Sequence, residues 1–356
     1  MIVTKPDYYD RFACLAGACP DTCCAHWQVV IDPQSLAFYQ SIDGELGERV
    51  RGAIVQADGT PCFRLQDGKC ALLTPEGLCP IQKAFGHGRL CAICASFPRF
   101  STEIGMRREL GLSLSCPEAA RLILCGAEPL TLCTEQTGEA MTDLHELSPE
   151  LLLALRELRA RALNVARDRA TPFSLRCIRL LRLCAPMAKQ AEARRDRALN
   201  AAMEEGWAQM SEPVAPAGAE GLQHFFRALQ NALDPLEALQ PAFRERLLRA
   251  LDTPAGGAWP EPETLWEHLL CYGIYKYFPR AAFDRALWPA TVFCLCLPLL
   301  LRQLLAAGGQ DALRFSWQLS RELEHSEENM AALYQAFSRR AFRPAALASV
   351  FAAIPD

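Results

Sequence analysis

Cys14-x4-Cys19-x3-Cys23-Cys24, Cys62-x7-Cys70-x8-Cys79, Cys91-x2-Cys94 and Cys116 followed by Pro117 give the first third of the chain one dominant chemistry, that of thiolates. Thiolates bind soft and borderline ions, so closely repeated cysteines suit zinc or an iron-sulfur cluster. One tetrahedral site would use four, and the inventory is large enough for two. The spacing matches no standard zinc-finger arithmetic. Neighbouring Cys23 and Cys24 point their side chains apart, so they fit two sites, or two sides of a polynuclear cluster, better than one ion. His26 and His87 are further donors, each more simply read as a solvated or core histidine.

The chain has 17 cysteines in 356 residues, and 11 of them precede residue 127. Cys133, Cys177, Cys184, Cys271, Cys294 and Cys296 fall in apolar helical runs and are expected to be buried small hydrophobes. A secreted disulfide scaffold is short and carries a leader, whereas MIVTKPDYYDRFACLAG has no apolar run, so a reducing cytoplasm is expected. Net charge is −4, with 12 Lys/Arg against 13 Asp/Glu up to residue 126 and 25 against 28 beyond it. Neither part has the basic excess of a nucleic-acid footprint. The apolar stretch from Ala286 to Leu301 falls short of the ~20 residues that cross a bilayer and reads as a buried helix interrupted at Pro298. No membrane and no nucleic-acid partner is therefore expected.

The elements that must position the thiols form a loop-rich head over residues 1–126, followed by a connector over 127–148 and a helical domain over 149–356. The fold class is mainly α, with an irregular all-helical body. In the head, DPQSLAFYQSIDGELGERVRGAI predicts the main helix, with Asp32 as N-cap and Pro33 at the first position. A short helix is expected after Pro117. In the body, Ser148-Pro149-Glu150 opens a leucine-periodic run. Amphipathic runs follow at 174–206, 219–233, 240–251, 262–278, 291–306, 310–338 and 344–353, broken at Gly- and Pro-rich segments. No solenoid repeat is present in this pattern.

The blocks FACLAGACPDTCCAHWQVVID, CALLTPEGLCPIQKAFG, LCAICASFPR and LGLSLSCPE, in this order, resemble the flagellin lysine-N-methylases of bacteria. The resemblance covers about the first 125 residues, and the remainder only in general character. It implies a [4Fe-4S] cluster, S-adenosylmethionine as methyl donor and flagellin lysines as substrate, with zinc as the alternative metal. Block by block it places the metal positions at Cys14, Cys19, Cys23, Cys24, Cys70, Cys79, Cys94 and Cys116, with Cys62, Cys91 and Cys125 as additional thiols. No GxGxG turn between a strand and a helix is present, so the usual Rossmann-like methyltransferase is disfavoured. Cys19-x3-Cys23-x2-His26 approaches the radical signature CxxxCxxC but has histidine at the third place. If a methyl donor binds, Arg99 suits its carboxylate, and Glu118 suits a proton acceptor. Tyr275, within the aromatic run from Trp266 to Phe278, is the candidate for lining an adenosine or lysine pocket. Two other functions fit the residues: a zinc-stabilised protein-interaction module, and an iron-sulfur radical or redox enzyme on another substrate.

Overall fold

A computed structural model describes residues 1–138, 147–253, 257–260 and 262–355. The chain is mostly helical, with a small mixed sheet and two hairpins in the cysteine-rich head. The strands are β1 (Ile2–Pro6), β2 (Ile54–Ala57), β3 (Thr60–Phe63), β4 (Leu65–Gln66), β5 (Lys69–Cys70), β6 (Arg99–Ile104), β7 (Arg107–Leu112) and β8 (Leu132–Gln136). The sheet runs β6-β7-β1-β8, with β1 parallel to β7 and antiparallel to β8. This sheet is a difference from the loop-rich head read from sequence. Its strands are five or six residues long and scattered over 135 residues, so their periodicity is too short to stand out. β8 also lies inside the stretch read as a connector, where residues 139–146 are outside the described residues.

The head helices are α1 (Pro33–Gln40), α2 (Gly44–Gly52), α3 (Pro80–Phe85), α4 (Ala92–Ser96) and α5 (Pro117–Leu124). The single helix expected after Asp32 is divided into α1 and α2, because the chain turns at Gly44, whose φ of +70° suits glycine. Asp32 caps α1 as expected, accepting from the Ser35 amide at 2.9 Å. Residues Val29, Ile31, Tyr39, Val50, Phe63, Leu72, Ile81 and Cys91 close a core of their own inside the head.

The body comprises α6 (Pro149–Arg167), α7 (Phe173–Glu192), α8 (Leu199–Gln209), α9 (Ala219–Leu233), α10 (Pro241–Ala250), α11 (Glu263–Tyr277), α12 (Ala281–Asp284), α13 (Leu287–Ala306), α14 (Ala312–Glu324), α15 (Glu327–Phe337) and α16 (Pro344–Ala352). Two expected runs are each split: 174–206 into α7 and α8, and 310–338 into α14 and α15. The second break falls where the Ser326 hydroxyl accepts from the Asn329 amide and starts a new helix. α13 runs unbroken through Pro298, against expectation. It is buried along nearly its whole length, so packing outweighs the ~3 kcal/mol that an internal proline costs. α13 is long and apolar enough to cross a membrane by length and composition, and it lies in the interior against α7, α11 and α15.

The main core does not stop at residue 126. Tyr8, Phe12, Leu112, Leu114, Ala119, Ala120 and Ile123 of the head belong to the same buried cluster as the body helices. α5 packs on α11 and α14, and so the sheet and α5 join the body while α1 to α4 stand apart around their own core.

Tyr275 on α11 is 2% exposed, and its hydroxyl lies 3.1 Å from the Thr4 carbonyl of β1 and 2.8 Å from the Leu110 carbonyl of β7. It is a brace between the body and the sheet, which corrects its expected place in a ligand pocket; aromatic residues at helical spacing pack before they bind. Tyr275→Phe should lower the unfolding free energy by about 1–2 kcal/mol, because buried carbonyls lose their donor. Urea denaturation measures this, and an unchanged midpoint and slope would show that the brace is dispensable.

Candidate metal centre

Cys14, Cys19, Cys23, Cys24, Cys70, Cys79, Cys94 and Cys116 all line one cavity of about 570 Å³ in the head. Local hydrogen bonding explains how separated segments reach it. The backbone from Cys24 to His26 pairs with the β4–β5 hairpin, with the Cys70 amide donating to the Cys24 carbonyl at 2.7 Å and the His26 amide to the Gly68 carbonyl at 2.7 Å. This lays Cys24 beside Cys70. Cys79, Cys91 and Cys116 stand at the N-caps of α3, α4 and α5. Neither Cys79 nor Cys116 makes a capping hydrogen bond, but the Ala119 and Glu118 amides near Cys116 and the Gln82 and Ile81 amides near Cys79 each favour the thiolate. Cys14 sulfur accepts from the Ala16 amide at 3.4 Å. Amide donors aimed at sulfur favour the thiolate, the form that ligates metal.

The thiols interact as one continuous set, joined through Cys23 and Cys24. Cys23 and Cys116 are influenced by Cys14, and Cys116 also by Cys19. Cys70 and Cys79 are instead influenced by Cys24 and Cys91, and Cys94 by both members of the Cys23–Cys24 pair. The Cys23 and Cys24 thiols interact with each other, against the expectation that they point apart, and this holds Cys24 down to about 7 and Cys23 up. Cys94 and Cys91 form a like pair, with Cys91 drawn down to about 7 by the Cys94 thiol. Burial raises Cys19, Cys70, Cys79 and Cys116, Cys70 to about 11. Neutral thiols thus line much of the cavity, and a metal ion must displace their protons to bind. The donor set fits a soft metal or an iron-sulfur cluster in kind and number. Among the described residues, no three His, Cys, Asp or Glu side chains already converge as one ion requires, so ligation demands that the walls draw inward.

The remaining thiols lie elsewhere. Cys62 is buried in the β2–β3 hairpin and donates to the Val55 carbonyl at 3.6 Å, Cys91 sits behind Cys94 in the head core, and Cys125 is exposed. Cys177, Cys184, Cys271, Cys294 and Cys296 are buried among the body helices as expected. Cys133 is exposed on β8, which corrects its placement in a helical run: β8 is the edge strand, and its outer face has no covering layer. His87 lines the cysteine cavity and His26 does not.

Arg99 stands in the cavity wall, where its guanidinium donates to the Phe12 carbonyl at 3.3 Å and lies over the rings of Phe12 and Tyr9. Glu118 also lines the cavity, but both its oxygens accept from Arg121, at 2.8 and 2.7 Å. That bidentate pairing already engages both carboxylate oxygens.

A second cavity of about 270 Å³ shares Cys23, Trp27, Ile93, Phe97, Pro98 and Arg99 with the first and is closed on its far side by α11 and α14. Lys276, Ser320, Arg321, Glu324 and His325 line it, none of which the sequence singled out. The available signal was a polar stripe at Ser320 and Glu324, four residues apart, within an otherwise amphipathic helix. Arg321 reaches across to the head, donating to the Ser115 carbonyl at 2.8 Å and the Asp21 carbonyl at 2.9 Å and pairing with the Asp21 carboxylate at 2.9 Å.

No family model matches the chain, and no solved structure matches it. Over 137 residues, 36% of this chain, it is 30% identical to a lysine-N-methylase of Salmonella typhimurium, and that stretch covers 34% of the relative. The chain shares partial homology with lysine-N-methylases. It is also 29% identical over 137 residues to the flagellar biosynthetic protein FliU of Salmonella muenchen, covering 81% of that protein. A lysine-N-methylase of Salmonella choleraesuis is 29% identical, again over 34% of its length. The match thus spans about a third of either lysine-N-methylase.

Asp32 ties the site together as well as capping α1, since its second oxygen accepts from the Ala92 amide of α4 at 2.8 Å. These amide bonds lower its pKa from the usual 3.8 to about 2. A depressed carboxylate contributes stability above its unfolded pKa and loses it as pH falls through the folded one. Asp32→Ala should therefore cost about 1 kcal/mol at neutral pH. The gap between wild type and variant should close as pH falls from 4 to 2. Chemical denaturation across that range checks both, and a gap that widens in acid would contradict the assignment.

Proposed function

We propose that this chain is a protein-lysine N-methyltransferase acting on flagellin in the cytoplasm, with S-adenosylmethionine as methyl donor and a metal centre, a [4Fe-4S] cluster or zinc, in the head. The observation that carries the reading is the gathering of eight thiols, drawn from all four cysteine blocks, around one cavity. Partial homology to lysine-N-methylases and to a flagellar biosynthetic protein supports the reaction and the substrate. All seventeen cysteines are free thiols, which suits a reducing compartment.

Displacement at a methyl sulfonium needs a neutral amine, an in-line donor and exclusion of water. In this reading, Cys14, Cys19, Cys23 and Cys116 form one face of the metal centre, and Cys24, Cys70, Cys79 and Cys94 the other. A cluster bound there supplies an electrophilic, redox-active centre. Arg99, in the wall common to both cavities, orients the carboxylate of the methyl donor by paired N–H contacts. Trp27 and Phe97, packed edge to face at 5.4 Å, keep this wall dry.

Anaerobic preparation followed by iron and sulfide assay should give a brown protein with about four irons per chain. Cys24→Ser and Cys94→Ser should each lower the metal content, whereas Cys125→Ser should leave it intact. Incubation with S-adenosylmethionine and monomeric flagellin should add methyl masses to flagellin in an intact-mass spectrum. A colourless zinc protein that adds none, under oxidising or reducing conditions, would instead favour the zinc-stabilised interaction module.

A further inference from the structure

Along one wall of the second cavity lie buried polar atoms without a well-formed hydrogen bond, although the Tyr277 hydroxyl also interacts with the Glu324 carboxylate. Glu324 is an ion-pair partner of Lys276 and accepts from the Tyr272 hydroxyl at 2.8 Å, both through Oε2. Its Oε1 is buried without a hydrogen-bond partner, and the side chain is only 3% exposed. One turn earlier, the Ser320 hydroxyl is also buried and unpartnered. His325 Nδ1 lies 2.9 Å from the Arg321 carbonyl, which can only accept, so the proton of the neutral ring is on Nδ1 and Nε2 is left as an acceptor. Nε2 is likewise buried without a hydrogen bond, with Glu237 3.8 Å away. A buried acceptor with no donor costs free energy comparable to a lost hydrogen bond, so three along one wall call for a ligand rich in N–H donors. Trp27, Phe97 and Phe100 also line the cavity, Phe100 beneath the Lys276 ammonium at 5.3 Å, and their rings suit the methylenes of a ligand.

We propose that this cavity binds the end of a lysine side chain, with the ammonium donating to Glu324 Oε1, His325 Nε2 and Ser320 Oγ and the methylenes lying along Trp27, Phe97 and Phe100. A volume of about 270 Å³ suits a side chain better than a drug-sized ligand. The Lys276 ammonium on the same carboxylate disfavours a second full cation, so transfer of one ammonium proton to His325 Nε2 leaves a neutral amine, its two N–H groups on Glu324 and Ser320 and its lone pair free to attack a methyl donor. The cavity shares a wall with the cysteine cavity, which brings the amine next to the metal centre. The inference rests on the proposed methyl transfer for the source of the amine, a lysine of a protein.

The test is binding of Nα-acetyl-lysine methylamide by saturation-transfer NMR, with the norleucine analogue as the isosteric control that lacks nitrogen. The lysine compound should bind the full-length protein, and the norleucine compound about tenfold or more weakly. Glu324→Gln should weaken lysine binding by a similar factor, with its thermal melt reporting that the chain is folded. Leu239→Trp, which fills the cavity from the segment before α10, should abolish it. Equal binding of the two compounds, or an unchanged Kd in folded Glu324→Gln, would overturn the site. Flagellin methylation that persists with that unchanged Kd would remove this site and leave the proposed function standing. Selective lysine binding by a protein that transfers no methyl group would do the reverse.

Discussion

One guanidinium holds the cysteine head to the helical body. Arg321 of α14, 9% exposed, pairs with Asp21 and also donates to the carbonyls of Asp21 and Ser115. Asp21 lies between Cys19 and Cys23, and Ser115 directly precedes Cys116, so a single side chain from the body fixes two loops that carry thiols. Trp317, one turn before Arg321, adds its indole N–H to the other Asp21 oxygen at 3.1 Å. Burying such a pair is expensive, and the hydrogen bonds from Nε to the Ser115 carbonyl and from Nη2 to the Asp21 carbonyl offset part of that cost. Loss of either partner would strand the other charge in a cavity wall.

The two cores explain why this clamp is needed. The core of α1 to α4 and the hairpins is small and separate, whereas the sheet and α5 are continuous with the body. Four of the eight thiols sit on the small unit side, at Cys24, Cys70, Cys79 and Cys94, and Cys116 sits on the large one. The cysteine cavity lies where they meet. The polar chain of Leu114 amide, Tyr272 hydroxyl, Glu324 and Lys276 seals the same seam one layer deeper. Tyr275 braces the sheet at its far end.

Much of this was legible in the sequence. Thiol spacing marked the head, and the eight positions chosen by block resemblance are the ones that share a cavity. Helix caps at Asp32 and Ser148 follow from local hydrogen bonding and read directly from residue type. What sequence could not show depends on tertiary partners. Strands as short as β4 and β5 have no period to detect, and Pro298 is accommodated because the helix around it is buried. Tyr275 and Glu118 were chosen for chemistry their side chains can do, but Thr4, Leu110 and Arg121 already engage them. Glu324 and His325 were missed for the opposite reason: their significance lies in partners they lack.

The distance along the chain between Arg321 and the loop it clamps has a consequence for biosynthesis. Cys24 emerges 297 residues before Arg321 does. At ordinary translation speeds that interval is roughly 15 to 60 s. During it, the N-terminal thiols exist without the wall that will enclose them, open to oxidants and to whichever soft ion is most abundant. For the metal centre proposed above, the order of manufacture makes the choice of ion a matter of timing and supply as much as of affinity, because the enclosing wall is complete only once the body is.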